Sequence, residues 1–214
     1  NLKNHGMHVL VDMQYFPNKY SHKKNINDKK NVWEVYFNQL SNYKLSEVYQ
    51  SKNVYFSPEN IALSLNDYNS SKLRLLYEKH IRINKSILNK VKKFEKKNFK
   101  KNSKIIGVHF RGTSYKTSRG HIFPATTSQM KKYVDQIIKK EKFDKIFICT
   151  EEQNYLEFFK KHYSKILLYI DTYRSNKNDA FKKYNRTNHR FLLGDESIKE
   201  ALILSRCKSL LFVR

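Results

Sequence analysis

Four short apolar segments in the second half of the sequence constrain the fold of this chain more than any other feature. They lie at 104–110 (KIIGVHF), 145–150 (KIFICT), 165–170 (KILLYI) and 209–213 (SLLFV). Each is brief, apolar with little alternation, and rich in aliphatic residues, which is typical of strands that are buried on both faces of a parallel sheet. We therefore expect these segments to form the core of one sheet.

The segments between these strands carry apolar residues at helical spacing. The residues that share one face in each predicted helix are Met130, Val134, Ile137 and Ile138 in 127–140, Tyr155, Phe158 and Phe159 in 152–162, and Ile198, Leu202 and Ser205 in 196–206. Strands that alternate with helices predict an α/β fold, and right-handed crossovers then give a doubly wound, Rossmann-like domain.

The first half of the sequence is less regular. Its expected elements are a strand at 7–12 (MHVLVD), a short helix or turn at 31–40, a further strand at 53–56, helical stretches within 57–81 and an amphipathic, lysine-rich helix at 83–101. We place a domain boundary near Lys101, so that 1–101 is part of a smaller α/β domain and 102–214 is the Rossmann-like domain. Both ends of the sequence interrupt expected elements, and we expect a truncated or incomplete chain.

The chain is strongly basic, with 43 Lys and Arg residues against 19 Asp and Glu and a net charge of +24. This excess favours a polyanionic partner such as nucleic acid, an anionic membrane or a phosphorylated ligand. A composition dominated by Lys, Asn, Ile and Tyr explains the charge equally well without any partner. The charge alone therefore does not define a function.

Composition also excludes some classes of protein. With 15 Tyr and 14 Phe the chain is too aromatic to be intrinsically disordered. No run of 18 apolar residues predicts a membrane-spanning helix, residues 1–10 lack the apolar core of a signal peptide, and two cysteines make no disulfide framework. We expect a reducing, cytoplasmic setting.

Polar side chains that follow the predicted strands are the candidate functional residues, since ligands of open parallel sheets bind beyond the carboxyl ends of the strands. His109, Arg111 and Gly112 follow the first strand. Arg111 is the sharpest candidate, because a guanidinium can hold a phosphate with two parallel hydrogen bonds and Gly112 permits close backbone approach. The alternative for Arg111 is a helix cap or an ion pair with a surface acid.

Carboxylates form the second group of candidates. Glu151 and Glu152 follow the second strand, where they either act as acid or base or only begin a helix. Glu200 lies among apolar residues of the last helix, and it either accepts hydrogen bonds from a base or ribose or faces solvent. His109 is either a ligand-binding or a satisfied structural histidine. The eight histidines show no metal-binding spacing, so no metal site is predicted.

Three segments in this order resemble the donor-binding half of the fucosyltransferase superfamily, which includes alpha-1,6-fucosyltransferases, nodulation fucosyltransferases and protein O-fucosyltransferases. They are IIGVHFRGTSYK, KIFICTEEQNYLEFFKKHY and DESIKEALILSRCKSLLFV, and the resemblance covers roughly 104–214. The shared pattern is a strand ending in HxR, a strand followed by Thr and an acid pair, and a helix and strand of the form LSxxxxLL. Many members have a second Arg after HxR, where this chain has Gly112.

The resemblance implies a two-domain GT-B-like architecture, with 1–101 as the acceptor-side part, and inverting transfer from GDP-fucose without an essential metal. It implies that Arg111 holds the donor diphosphate and that His109 lies near the guanosine. Glu151 and Glu152 match the acid pair, and Glu200 matches an acid that contacts the nucleoside.

The leading hypothesis is therefore a fucosyltransferase that builds a bacterial surface glycan. Its partners are a nucleotide-sugar donor and a glycan acceptor, and its lysines touch anionic lipid at the inner face of the cell membrane. The alternatives are a nucleic-acid-binding basic α/β protein, against which the dispersed lysines and missing motifs argue, and a non-catalytic glycosyltransferase-like protein.

Overall fold

The computed structural model describes residues 6–14, 18–21, 31–55, 70–117, 120, 123–182 and 186–212. Contacts between Cα atoms divide the chain into two units, Asn1–Lys85 and Ser86–Arg214. The division lies ahead of the boundary that we place near Lys101, because the lysine-rich helix packs on the sheet of the second unit. The assignment of the two parts as acceptor-side and donor-binding domains stays a prediction.

The described part of the first unit is held together by short helices and side-chain hydrogen bonds. Its helices are α1 (Val32–Tyr36), α2 (Leu45–Gln50) and α3 (Ser70–His80), and its β pairing is an isolated bridge between Phe37 and Ile83. The helical stretch expected within 57–81 is thus seen as α3, while 56–69 lie outside the described residues.

The strands expected at 7–12 and 53–56 are wrong over the residues that the structure describes. Among the described residues the backbone at Val11 has no strand partner, and amide side chains take its hydrogen bonds. Val11 N donates to Gln39 Oε1 at 3.0 Å, and the Val11 carbonyl accepts from Asn31 Nδ2 and Gln39 Nε2, each at 2.8 Å. Asn53 to Tyr55 are also irregular, and Phe56 is not among the described residues.

The second unit is a four-stranded, all-parallel sheet with helices on both faces, which confirms the predicted Rossmann-like α/β fold. The strands are β1 (Ile105–His109), β2 (Lys145–Cys149), β3 (Leu167–Leu168) and β4 (Ser209–Phe212), in the order β3-β2-β1-β4. The third strand is much shorter than its predicted segment, and Val213 lies outside the described residues. The helices are α4 (Lys85–Asn98), α5 (Thr113–Thr117), α6 (Thr127–Glu141), α7 (Gln153–Tyr163) and α8 (His189–Leu204).

Alternate side chains of the two central strands build separate cores on the two faces. The core under α6 and α7 contains Ile106, Val108, Ile146, Ile148, Met130, Val134, Leu156 and Phe159. The core under α4 and α8 contains Val91, Ile105, Phe147, Cys149 and Ile203. The apolar stripe of α4 therefore packs against the sheet, and most of its lysines are exposed to solvent.

The last helix buries a different face from the one expected. It begins at His189, ahead of the predicted start at Glu196, and its buried positions include Leu193, Glu196, Glu200 and Ile203. Ala201 is exposed. This register places Glu200 inside the protein, which excludes the solvated alternative for that residue.

Candidate functional site

The strand order places the topological switch point of the sheet between β1 and β4. From β1 the chain moves outward to β2 and β3 and then returns to β4 on the other side of β1. Loops that leave the carboxyl ends of strands at such a reversal run in opposite directions, and the crevice between them is where doubly wound folds bind ligands. His109, the last residue of β1, pairs with Phe212 of β4 and with Cys149 of β2. The residues after His109 therefore lie at this crevice.

Arg111 and Glu151 lie together at this edge of the sheet. Arg111 Nε is 3.8 Å from Glu151 Oε1, and the guanidinium stacks over the Tyr115 ring at 4.9 Å. Glu151 Oε1 also accepts a hydrogen bond from the Gly112 backbone N–H at 3.0 Å. The side chains of Arg111 and Glu151 are 40% and 31% exposed, so a ligand in the crevice can reach both.

Glu152 has a different environment from its neighbour in the sequence. Its side chain is 6% exposed, and both of its oxygens accept from Lys116 Nζ, at 2.8 and 3.0 Å. The Lys116 ammonium also lies 4.7 Å from the centre of the Tyr155 ring. Burial lowers the pKa of Lys116, but its hydrogen bonds to Glu152 and Tyr155 outweigh that effect and hold the pKa above its usual value. Glu152 is thus paired within the protein, whereas Glu151 faces the edge.

The absence of a side chain at Gly112 leaves room for the Glu152 carboxylate. A Cβ atom at this position would overlap Glu152 Oε2 and would approach Tyr155 Cε2 to 2.8 Å. No side chain fits here while Glu152 keeps its place. A side chain at this position, such as the second Arg of the resembled pattern, would therefore require Glu152 to move.

His109 is partly buried at the end of β1. Burial and the positive charge of Arg111 lower its pKa below the ordinary value, and the Glu151 carboxylate opposes this only in part. The imidazole is therefore neutral at pH 7, with one nitrogen that donates and one that accepts a hydrogen bond.

Glu200 lies under the exits of β2 and β3. Its Oε2 accepts from the Cys149 thiol at 3.1 Å, and its Oε1 accepts from Arg174 NH2 at 3.3 Å and from the Thr172 hydroxyl at 3.4 Å. Burial raises the pKa of Glu200 to about 7; Cys149, Arg174 and Thr172 lower it, and Glu196 adds to the rise. A nucleoside that contacts Glu200 has to displace one of these bonds, and that contact stays a prediction.

Three residues of this arrangement are absent from the sequence-based candidates. Lys116 is one of 43 basic residues, and its only signal is its place shortly after the first strand exit. The sequence places Tyr155 in the apolar stripe of its helix, and its ring does stack on the Phe110 ring, with the two ring centres 4.0 Å apart. Arg174 follows the third strand, and that position was the signal that could have found it.

Within the described ranges, no group of three or more His, Cys, Asp or Glu side chains is arranged to hold a metal ion. No helix among the residues that the structure covers is long and apolar enough to cross a bilayer.

The four-stranded parallel sheet with helices on both faces is a Rossmann-like, GT-B-like fold. A solved fucosyltransferase structure is similar to this chain in fold. The chain matches NodZ alpha-1,6-fucosyltransferase co-crystallized with GDP at a TM-score of 0.50 and 16% identity, over 78% of this chain and 51% of that one. It also matches NodZ soaked with GDP-fucose (TM-score 0.45, 18% identity, 67% and 42% of the two chains) and NodZ from Bradyrhizobium (0.48, 16%, 78% and 50%).

The chain thus spans about half the length of these fucosyltransferase structures. At this identity the likeness concerns the fold. No family model matches the sequence, and no curated protein matches it.

Proposed function

We propose that this chain carries the donor-binding half of an inverting glycosyltransferase that transfers fucose from GDP-fucose to a glycan acceptor. The observation that carries the proposal is the placement of Arg111, a partly exposed guanidinium beside Glu151, at the crevice where doubly wound folds bind ligands. Its planar fork of donors matches the oxygens of a diphosphate. The similarity in fold to a fucosyltransferase co-crystallized with GDP supports a guanosine diphosphate as the ligand.

In the proposed reaction an acceptor hydroxyl oxygen forms a bond to the anomeric carbon of the sugar. The bond from that carbon to the β-phosphate oxygen breaks, and its electrons leave with GDP. Arg111 stabilises the negative charge that develops on the diphosphate. Glu151 orients the guanidinium and, as the exposed member of the acid pair, is also the group that takes the hydroxyl proton.

Glu152 has a supporting role in this mechanism. Because its oxygens are bound by Lys116 and its side chain is buried, it holds the loop after β1 against the start of α7 and does not meet the acceptor. In this proposal the role of acid or base, which the sequence leaves open between the two residues, therefore belongs to Glu151.

The nucleoside is assigned to His109 and its surroundings. A neutral imidazole can donate to one atom of a base and accept from another, and the lowered pKa of His109 keeps it neutral over the physiological range. Arg111 supplies the positive charge beside the diphosphate, so the proposal assigns no metal ion to the reaction, and we expect activity to be insensitive to a chelator.

Replacement of Arg111 tests the proposal. We expect Arg111→Met to weaken GDP binding and to lower the transfer rate by about 10²- to 10³-fold, as does the loss of one oriented donor to a developing charge. Arg206→Met is the matched control: it removes the same charge from the same unit, at an Arg whose side chain is 58% exposed and pairs with Glu95. GDP binding is measured by calorimetry, with UDP, CDP and ADP as competitors for specificity.

Two results would contradict the proposal. If Arg111→Met binds GDP as tightly as Arg206→Met does, Arg111 does not hold the diphosphate. If the protein binds no GDP but binds RNA with an affinity that falls steeply with salt, the nucleic-acid alternative replaces the proposal.

A further inference from the structure

Arg174 is a buried cation that the proposed reaction does not use. Its side chain is 2% exposed, so no ligand can touch it. Its guanidinium donates to the carbonyl of Thr150 at 3.1 Å, to that of Thr172 at 3.3 Å and to that of Ile170 at 3.0 Å. Glu200 Oε1 accepts from the same guanidinium at 3.3 Å, so each of these contacts of the buried side chain is to an oxygen acceptor.

These hydrogen bonds replace a sheet ladder that ends early. Between β2 and β3 the ladder consists of two pairs, Ile146 with Leu167 and Phe147 with Leu168. Beyond these two pairs, the backbone of β2 is not paired with the backbone of the third predicted strand segment. Arg174 joins the two chain segments instead. It binds the carbonyl of Thr150, which follows β2, and the carbonyls of Ile170 and Thr172, at and just after the end of the third predicted segment. Only a guanidinium has enough donors in one plane for this set of acceptors.

The segment around Arg174 also supports the acid-pair loop directly. Ser175 N donates to the carbonyl of Glu151 at 3.0 Å, and Asn154 N donates to Asn176 Oδ1 at 2.8 Å. The carboxylate of Glu151 then accepts from Gly112 N. A chain of contacts thus runs from Arg174, through the loop that follows β2, to the edge where Arg111 lies.

We infer that Arg174 is a positioning residue: by holding the Thr150 carbonyl, it fixes Glu151 against Gly112 and Arg111. The consequence for ligand binding rests on the proposed function, whereas the positioning of Glu151 does not. The conservative change Arg174→Lys keeps the charge beside Glu200, but a single ammonium cannot reach three carbonyls and a carboxylate.

Hydrogen exchange in the ligand-free protein tests the positioning itself. In Arg174→Lys we expect the amides of Gly112 and Ser175 to exchange about tenfold faster or more. The amide of Phe110, which donates to the Cys149 carbonyl at 2.9 Å, lies within the sheet and keeps its protection. Arg174→Met repeats the test without the charge, and Arg206→Met is the control. Unchanged exchange at Gly112 in a folded Arg174→Lys variant overturns the inference.

Affinity for GDP tests the consequence for the site by a double-mutant cycle. We expect Arg174→Lys to weaken GDP binding about tenfold in the wild-type background and less than about twofold when Glu151→Gln is already present, because both changes act through one carboxylate. A merely structural role would lower the melting temperature but leave the two effects on affinity additive, and additivity overturns the inference. If the wild-type protein binds no GDP, the proposed function fails, and hydrogen exchange still decides the role of Arg174.

Discussion

Replacement of Gly112 by alanine is the most direct test of the arrangement at the strand exits. The added methyl group would overlap Glu152 Oε2 and crowd Tyr155, so the carboxylate has to leave its place. When it leaves, Lys116 loses the partner that it holds at 2.8 and 3.0 Å. We therefore expect one methyl group to break a partly buried ion pair.

The expected cost has two parts. Overpacking of a filled interior costs about 1–3 kcal/mol. The separation of a fully buried ion pair costs about 3–5 kcal/mol, but the Lys116 side chain is 35% exposed and water replaces part of the interaction, so we reduce this part to about 1 kcal/mol. We expect Gly112→Ala to lower the free energy of unfolding by about 2–4 kcal/mol, which lowers the melting temperature by roughly 6–12 °C.

Urea unfolding of four proteins measures this cost and its cause. They are the wild type, Gly112→Ala, Glu152→Ala and the double variant. Removal of the Glu152 side chain removes the atom that the new methyl group meets first, so Gly112→Ala should cost at least about 1 kcal/mol less in the Glu152→Ala background. A Gly112→Ala protein within about 0.5 kcal/mol of wild type, or equal costs in the two backgrounds, would refute the packing argument.

Three further predictions concern stability and surface charge. Burial raises the pKa of Glu200 to about 7, above its unfolded value of about 4.3; its contribution to stability is therefore complete below about pH 4 and is lost as the pH rises to about 7. Urea unfolding should show that the free energy of unfolding of the wild type is roughly 2–3 kcal/mol lower at pH 8 than at pH 4.5, and that this difference is absent from Glu200→Gln. Equal differences in the two proteins would contradict the role of Glu200. Tyr163→Phe removes a 2.7 Å hydrogen bond to Asp135 and should lower the free energy of unfolding by about 1 kcal/mol, measured in the same way; no change would mean that water fully replaces the bond. The double variant Lys93→Glu, Lys97→Glu on the exposed face of α4 should reduce co-sedimentation with vesicles that contain phosphatidylserine by about tenfold or more. Co-sedimentation that changes neither with these substitutions nor with the salt concentration would reject the membrane contact.

The sequence was sufficient to predict the parallel sheet and most of its helices, because these elements repeat apolar residues at fixed periods. Val108 and Phe110 point into one core, as the alternation along β1 requires. The same kind of pattern predicts a strand at 7–12, and that prediction is wrong. There the residues are suited to a strand, but a strand also needs a partner, and the backbone of Val11 is instead bonded by the side chains of Asn31 and Gln39.

The candidate site was predictable only in part, for a related reason. Strand exits can be located from the sequence, and they led to His109, Arg111 and the acid pair. The contacts of Lys116 and Arg174 depend on how α5 and the segment after β3 pack against the end of β2. The spacing of apolar residues in the sequence does not predict this packing. The burial of Glu200 depends on the rotation of α8, and that rotation was predicted with the wrong face inward.

The balance of charge at the strand exits shows why the net charge of the chain says little about donor binding. Arg111 is paired with Glu151, and Lys116 with Glu152, so the two cations near the end of β1 are accompanied by two carboxylates. A diphosphate at this edge would therefore be held by the orientation of one guanidinium more than by an excess of positive charge. The exposed lysines of α4 are less balanced, because Glu95 is the single acid of that helix and, among the described residues, only Lys90 of these lysines forms an ion pair, with Asp195. Binding of GDP should accordingly depend less on salt than binding to anionic vesicles, because only the second draws on many unshielded charges.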